Sequence, residues 1–185
     1  MLIAVLLTSV VVIGVVIGAT LVSTPSENSN GSSGSTQTAL SPDTDFGQTR
    51  SAPDWGLLMS DGEVVQLGSL EGKFTVIDLM SLSCTACETQ NSELSTLISA
   101  MGDRINVISL SVDVSTTVDQ MQTYKDDNSL PWSHGLDTNS VFTYYFNLRY
   151  TPTIVIIDDN GYFRMYHEGV WTSSDVQQTI SLLDK

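Results

Sequence analysis

The stretch Phe74–Cys87, FTVIDLMSLSCTAC, decides how this chain folds. Its first half is a nearly continuous apolar run, which is typical of a central strand covered on both faces. Its second half holds Cys84 and Cys87, the two cysteines of the chain. A helical pattern follows over Glu88–Met101, and Gly102 is placed to end it. The order strand, CxxC, helix predicts a dithiol redox site.

The spacing of the two cysteines suits both a disulfide and a reactive thiolate. Residues three apart on the first turn of a helix lie on one face, about 5–6 Å apart at Cβ, within reach of a disulfide after modest adjustment. The dipole and free N–H groups of a helix N-terminus also stabilise a thiolate. Two alternatives remain, an inert disulfide and half of a zinc site completed by His134 and His167. A loop this short adds little stability by chain entropy, and the two histidines match no zinc-finger spacing.

Strands and helices alternate on either side of this segment, which predicts an α/β domain. The predicted strands are Gly62–Leu67, Phe74–Leu79, Ile105–Val112, Thr153–Ile157 and Tyr162–His167. The predicted helices are Glu88–Met101, Thr117–Asp127, Thr138–Leu148 and Ser173–Leu183. Asn160-Gly161 predicts a tight hairpin between the last two strands.

The first 50 residues differ in composition from the rest. Residues 1–22 are apolar and uncharged over a length that can span a bilayer, so we predict one uncleaved transmembrane helix. Residues 23–50, rich in Ser, Thr, Asn, Gly and Gln, predict a flexible linker, and residues 51–185 one domain. We therefore expect a single-pass membrane protein whose C-terminal domain lies outside the cytoplasm.

The chain is strongly acidic, with 21 acidic and 7 basic residues and a formal net charge of −14. A surface of this sign argues against nucleic acid and against anionic lipid headgroups as partners.

The predicted domain resembles thioredoxin-fold proteins, most of all the TlpA/ResA-type membrane-anchored thiol-disulfide oxidoreductases. The segments that carry the resemblance are Ala52-Pro53-Asp54-Trp55, Asp61-Gly62, Gly72-Lys73, Cys84-Thr85-Ala86-Cys87, Ser109–Asp113, Leu130-Pro131-Trp132 and Tyr150-Thr151-Pro152-Thr153. The resemblance implies a thioredoxin-like fold, with a central mixed sheet flanked by helices, after the single N-terminal transmembrane helix. The sequence departs from that of thioredoxin at Ser83, where thioredoxins usually have a tryptophan, and at Thr85-Ala86, where Gly-Pro is common.

Five site residues follow from these patterns and the resemblance. Cys84, at the exposed helix start, is the expected nucleophile, and Cys87 the resolving cysteine. Asp78 lies in an otherwise apolar strand, where burial would raise its pKa and suit it to a proton relay. The alternative is a strand-end aspartate paired with solvent or Lys73.

The resemblance implies a cis bond from Thr151 to Pro152, in a loop that offers backbone contacts to substrate. The alternative is a trans proline that opens a strand.

The resemblance also implies partners: client proteins with disulfides or thiols, such as apocytochrome c cysteines or a copper-site thiol pair, and a membrane electron donor. We expect the protein to be a monomer that reduces its clients. We expect no cofactor beyond the cysteine pair and no metal.

Two other functions share parts of the pattern. A peroxiredoxin-like thiol peroxidase has a similar opening at Pro53-Asp54-Trp55 and a hydroxyl residue three before the cysteine, here Ser81, but the proline of its motif is replaced by Ile77. A Sco-like copper-delivery protein combines an anchor with this fold, but it uses CxxxC and a late histidine that Asp158-Asp159-Asn160 lacks.

Overall fold

The computed structural model describes residues 43–185, and within that range the chain folds around one mixed sheet. The strands found there are β1 (Asp43–Ser51), β2 (Gly56–Met59), β3 (Val64–Gln66), β4 (Phe74–Met80), β5 (Ile105–Ser111), β6 (Ser133–Leu136), β7 (Thr153–Ile157) and β8 (Tyr162–Glu168). The α-helices found there are α1 (Thr85–Met101), α2 (Val118–Asp127), α3 (Val141–Phe146) and α4 (Ser173–Leu183).

The strand predicted to be central lies in the middle of the sheet. The strand order is β1-β8-β7-β4-β5-β6-β2-β3, with β4 parallel to β5 and antiparallel to β7. All seven residues of β4 are buried, as its continuous apolar sequence predicts for a strand covered on both faces. The register places Asp78 beside Ser109 of β5 and Ile154 of β7.

Helices cover both faces of the sheet. On one face, Leu94 of α1 and Val176 of α4 pack in one cluster with Val76 of β4. On the other face, Phe142 and Phe146 of α3 pack with β4 and β7. This arrangement confirms the predicted α/β architecture of a mixed sheet flanked by helices.

Local signals place the helix that carries the CxxC. Cys84 is the N-cap of α1, and its sulfur accepts a hydrogen bond from the backbone of Cys87, as an N-cap side chain does. The helix ends at Gly102, whose φ of 55° is a conformation that favours glycine. The CxxC therefore lies just after the end of β4, at the start of α1.

The predicted linker is wrong at its end, because residues 43–50 belong to the folded domain. They form most of β1, which pairs antiparallel with β8. Phe46 is only 8% exposed and packs against Phe146, while the Arg50 guanidinium covers its ring. Since β1 is an edge strand, its other residues stay polar and give it the composition of a linker.

The helix predicted over Thr138–Leu148 is shorter in the structure. Thr138–Ser140 form a 3-10 turn, and α3 begins only at Val141. The Asp137 carboxylate accepts hydrogen bonds from the backbone N–H groups of Phe142 and Thr143, which caps the helix at that point. The strands β2 and β6, both four residues long, were not predicted from the sequence.

Within residues 43–185, no helix is long and apolar enough to cross a membrane. The predicted transmembrane helix, residues 1–22, and residues 23–42 of the predicted linker lie outside the described residues.

Replacing Phe46 by alanine tests whether β1 is part of the domain. Removing a buried aromatic ring should lower the free energy of unfolding by about 3 kcal/mol, measured by denaturant titration. Val114→Ala is the matched control, because Val114 is 90% exposed and its loss should leave stability nearly unchanged. Equal stability of the Phe46→Ala variant and the wild type would contradict the docking of β1.

Candidate active site

Cys84 and Cys87 are joined as a disulfide at the start of α1, with their Cα atoms 5.2 Å apart. The two sulfur positions differ in access: Cys84 is partly exposed, whereas Cys87 is fully buried against Met80 and Met121. The backbone N–H of Cys87 donates to Cys84 Sγ at 3.1 Å. An N–H group aimed at this sulfur, at a helix N-terminus, would stabilise negative charge on it when the bond is reduced.

The Thr151–Pro152 loop faces the outer cysteine. Cys84 Sγ lies 3.5 Å from the Thr151 carbonyl oxygen, and the Thr151–Pro152 peptide bond is cis, as the resemblance implies. The loop is held from both sides, since the Pro152 carbonyl accepts from the Gly169 backbone and the Thr153 hydroxyl donates to the Tyr150 carbonyl. This backbone is therefore held next to the sulfur of the partly exposed Cys84.

Asp78 is fully buried on the sheet face that carries the inner cysteine. It lies two residues before Met80, so both side chains point to the same face, and Met80 packs against Cys87. The Ser109 hydroxyl donates to Asp78 Oδ2 at 2.8 Å, and Oδ1 has no hydrogen-bond partner among the described residues. Burial raises the pKa of Asp78 to about 7, against an opposing effect of the Ser109 hydrogen bond.

Polar groups that the sequence analysis did not assign to the site lie around Asp78. Ser109 accepts a hydrogen bond from the indole of Trp132, and His134 stacks on Trp132. Burial lowers the pKa of His134 to about 4, so its imidazole is neutral near pH 7. From α2, Tyr124 packs toward the cysteines and accepts a hydrogen bond from Asn91 of α1. Two serines, Ser109 and Ser111, interrupt the apolar β5, but the sequence alone does not show which of them faces Asp78.

The two histidines that the alternative zinc site would need make other contacts in the structure. His134 lies in the buried cluster, and His167 pairs with Asp43 while its ring stacks on Trp171. No group of three or more metal-ligating side chains is assembled in the part of the chain that the structure describes.

The residues just before and after the CxxC are exposed or partly exposed. The Ser81 hydroxyl donates to Asp113 Oδ2 at 2.6 Å, which ties the segment before Cys84 to the loop after β5. Ser83 and Thr85, the two departures from the thioredoxin pattern, are exposed to solvent. Glu88 is also exposed, in the first turn of α1, where a negative charge interacts favourably with the helix dipole.

Comparison with known proteins gives a family match over most of the described residues. The model of the AhpC/TSA family matches residues 49–165. The thioredoxin-like protein YneN of Bacillus subtilis (strain 168) is 23% identical over 132 residues, covering 71% of this chain and 77% of that protein.

Solved structures share the fold at low sequence identity. A thioredoxin-family thiol:disulfide interchange protein from Chlorobium tepidum has a TM-score of 0.63 at 16% identity, covering 72% of this chain and 94% of that chain. The thioredoxin domain of a Bacteroides vulgatus thiol-disulfide oxidoreductase has a TM-score of 0.61 at 17% identity, covering 75% and 98%. StoA from Bacillus subtilis has a TM-score of 0.56 at 17% identity, covering 69% and 97%. These matches confirm the thioredoxin-like fold.

The pH dependence of stability tests the environment of Asp78. Its pKa is raised from 3.8 to about 7 on folding, so between these values the folded protein holds a proton that the unfolded chain releases. The stability that this proton contributes is fully present below about pH 4 and is lost as the pH rises to about 7. Asp78→Asn should remove this dependence. On going from pH 5 to pH 8, the free energy of unfolding of Asp78→Asn should therefore rise by about 2 kcal/mol relative to that of the wild type.

The measurement is denaturant unfolding of both oxidised proteins at the two pH values. His134 contributes in the opposite sense, since its lowered pKa gives stability above pH 6.5 that is lost as the pH falls toward 4. Because His134 is present in both proteins, its effect largely cancels in the difference. An Asp103→Asn control, at an exposed site, should show no such gain. If the free energies of unfolding of Asp78→Asn and wild type differ by the same amount at both pH values, the raised pKa of Asp78 is contradicted.

Proposed function

Because this chain belongs to the AhpC/TSA family and is a thiol-disulfide oxidoreductase of the thioredoxin-like kind, we propose that it reduces disulfides in client proteins outside the cytoplasm. The observation that carries the proposal is the unequal exposure of the two cysteines. Cys84 is partly exposed beside the Thr151 carbonyl, and Cys87 is buried on the Asp78 face of the sheet. A client can reach the first sulfur only, as a mechanism with one attacking and one resolving cysteine requires.

The first step forms a mixed disulfide. In the reduced protein, the Cys84 thiolate attacks one sulfur of the client disulfide, a Cys84–client S–S bond forms, and the other client sulfur leaves as a thiolate. The N-terminus of α1 and the N–H of Cys87, which is directed at Cys84 Sγ, stabilise the attacking thiolate.

The second step releases the client. The Asp78 carboxylate accepts the proton of the Cys87 thiol, and the Cys87 thiolate attacks Cys84 Sγ. The Cys84–client bond breaks and the client sulfur leaves as a second thiolate, which takes up a proton. Two electrons have then passed from the dithiol to the client, and the protein holds the Cys84–Cys87 disulfide. A pKa of about 7 lets Asp78 both accept and return a proton near neutral pH.

The Thr151–Pro152 loop is the proposed docking site for the client backbone. Its carbonyl at Thr151 lies beside the reacting sulfur, and the hydrogen bonds at Pro152 and Thr153 hold the loop in place. An extended client segment can add to this backbone as a strand, which brings its disulfide to Cys84. No cofactor takes part, since the cysteine pair itself carries the electrons.

Return to the dithiol requires an electron donor, because compartments outside the cytoplasm favour disulfides. We assign this role to a membrane protein with its own dithiol, in the manner of the TlpA/ResA-type proteins that the chain resembles. The clients that this resemblance implies, such as apocytochrome c cysteines or a copper-site thiol pair, suit a protein that works near a membrane.

The apolar run at residues 1–22 supports a single-pass anchor. Carbonate extraction of membranes should leave the full chain in the pellet and release a variant that lacks residues 1–22. Recovery of the full chain in the soluble fraction would contradict the anchor.

A thiol peroxidase is the second candidate, favoured by the Ser81 hydroxyl three residues before Cys84. That hydroxyl donates to Asp113 rather than to the cysteine, which weakens this candidate. If the protein consumes hydrogen peroxide as fast as it reduces a client, and this consumption requires Cys84, the peroxidase is favoured over the reductase.

Separate replacement of the two cysteines tests their roles. Cys84→Ser should abolish reduction of a disulfide-bonded client, because the reachable sulfur is lost. Cys87→Ser should still attack but not resolve, so the client should accumulate in a mixed disulfide with Cys84, visible on non-reducing gels and by mass spectrometry. Loss of activity in Cys87→Ser without a trapped adduct would contradict the assigned order.

A further inference from the structure

Three buried polar side chains form a row across the centre of the sheet. Asp78 of β4 pairs with Ser109 of β5, and Ser109 pairs with His134 of β6. Residues paired in register point to the same face, and all three side chains are at most 1% exposed. A row of this kind is costly to bury unless its hydrogen bonds are arranged specifically.

The hydrogen bonds of Ser109 run in one direction only. The Trp132 indole N–H, which can only donate, donates to Ser109 Oγ at 2.9 Å. The Ser109 hydroxyl donates in turn to Asp78 Oδ2 at 2.8 Å. No other acceptor for this hydroxyl is found among residues 43–185. The hydroxyl proton is therefore committed to Asp78 Oδ2.

The two oxygens of Asp78 differ in their partners. Oδ2 accepts from Ser109, whereas Oδ1 has no partner among the described residues, so Oδ1 is the oxygen that can take up a proton without displacing the Ser109 hydrogen bond. We infer that Ser109, oriented by Trp132, is a positioning residue that holds Asp78 with Oδ1 as its proton-carrying atom and stabilises its carboxylate form. The inference rests on the proposed function, in which Asp78 accepts the proton of Cys87.

Other charged and titratable groups face the row. Tyr124 of α2 has a pKa raised first by burial and then by the charges of Asp78 and Glu88, against a lowering hydrogen bond from Asn91. His134 donates from Nδ1 to the Trp132 carbonyl, and its pKa is lowered mainly by burial and further by the charge of Lys125. Tyr124 and His134 therefore stay neutral between about pH 5 and pH 9, whereas the pKa of Asp78, about 7, lies within that range.

The chain contains a matched pair of serines for the test. Ser111 lies on the same strand and is also buried, but its hydroxyl donates to Thr116 instead of Asp78. Ser109→Ala removes the donor to the carboxylate, while Ser111→Ala removes an equivalent hydroxyl elsewhere.

The first readout is the titration of the Asp78 carboxyl carbon by NMR in the oxidised full chain. Ser109→Ala should raise its midpoint by roughly half to one pH unit, because the carboxylate loses a hydrogen bond. Trp132→Phe, which frees the Ser109 hydroxyl to turn, should raise it by less. Ser109→Thr should restore the wild-type midpoint, and Ser111→Ala should leave it unchanged. An unchanged midpoint in Ser109→Ala, or in Trp132→Phe should the first variant not fold, overturns the inference.

The second readout is single-turnover reduction of a synthetic peptide closed by one disulfide, between pH 5.5 and pH 9. Ser109→Ala should be several-fold slower than wild type near pH 6 and equal to it near pH 9. In an Asp78→Asn background, adding Ser109→Ala should have no effect on the rate at either pH. An equal loss at every pH would mean that Ser109 has a structural role only. A wild-type protein that reduces no peptide at any pH would defeat the proposed function, while the NMR titration would still decide the role of Ser109.

Discussion

The burial of one carboxylate in the middle of the sheet is the constraint on which the proposed chemistry depends. Asp78 lies on β4, between β5 and β7, with no exposure to water. An isolated carboxylate in such a place is costly when charged, and the raised pKa expresses that cost. One hydroxyl, that of Ser109, offsets part of it. The result is a buried acid with a pKa near neutral, on the sheet face that carries the inner cysteine.

The fold gives the two sulfurs different environments with few elements. The last residue of β4, Met80, packs against Cys87, while Cys84 stays at the helix N-terminus as its N-cap. The Thr151–Pro152 loop, just before β7, brings the Thr151 carbonyl oxygen within 3.5 Å of the outer sulfur. Because β4 and β7 are neighbours in the sheet, a rigid core positions both the cysteines and the loop that faces them.

Much of this could be predicted from the sequence, because the decisive signals are local. The apolar run of β4, the CxxC and the helical spacing of α1 lie within 28 consecutive residues, Phe74–Met101, and need no knowledge of distant partners. The strand β1 could not be predicted, since it has one large buried apolar residue, Phe46, and depends on pairing with β8. The role of Ser109 depends on the register of two parallel strands, which no local pattern reveals. Trp132 packs in the core, and its indole N–H also donates to Ser109, a second role that its apolar ring does not reveal in the sequence.

The central claim is that Cys84 and Cys87 cycle as a reducing dithiol, and equilibrium of the full chain with dithiothreitol or glutathione buffers tests it most directly. The fraction of oxidised protein, followed by thiol alkylation and mass, should show one two-electron transition near the potential of thioredoxin, about −270 mV. A transition near −120 mV, the range of a strong oxidant, would contradict the reducing direction. A disulfide that stays unchanged across the buffers would contradict the redox role itself.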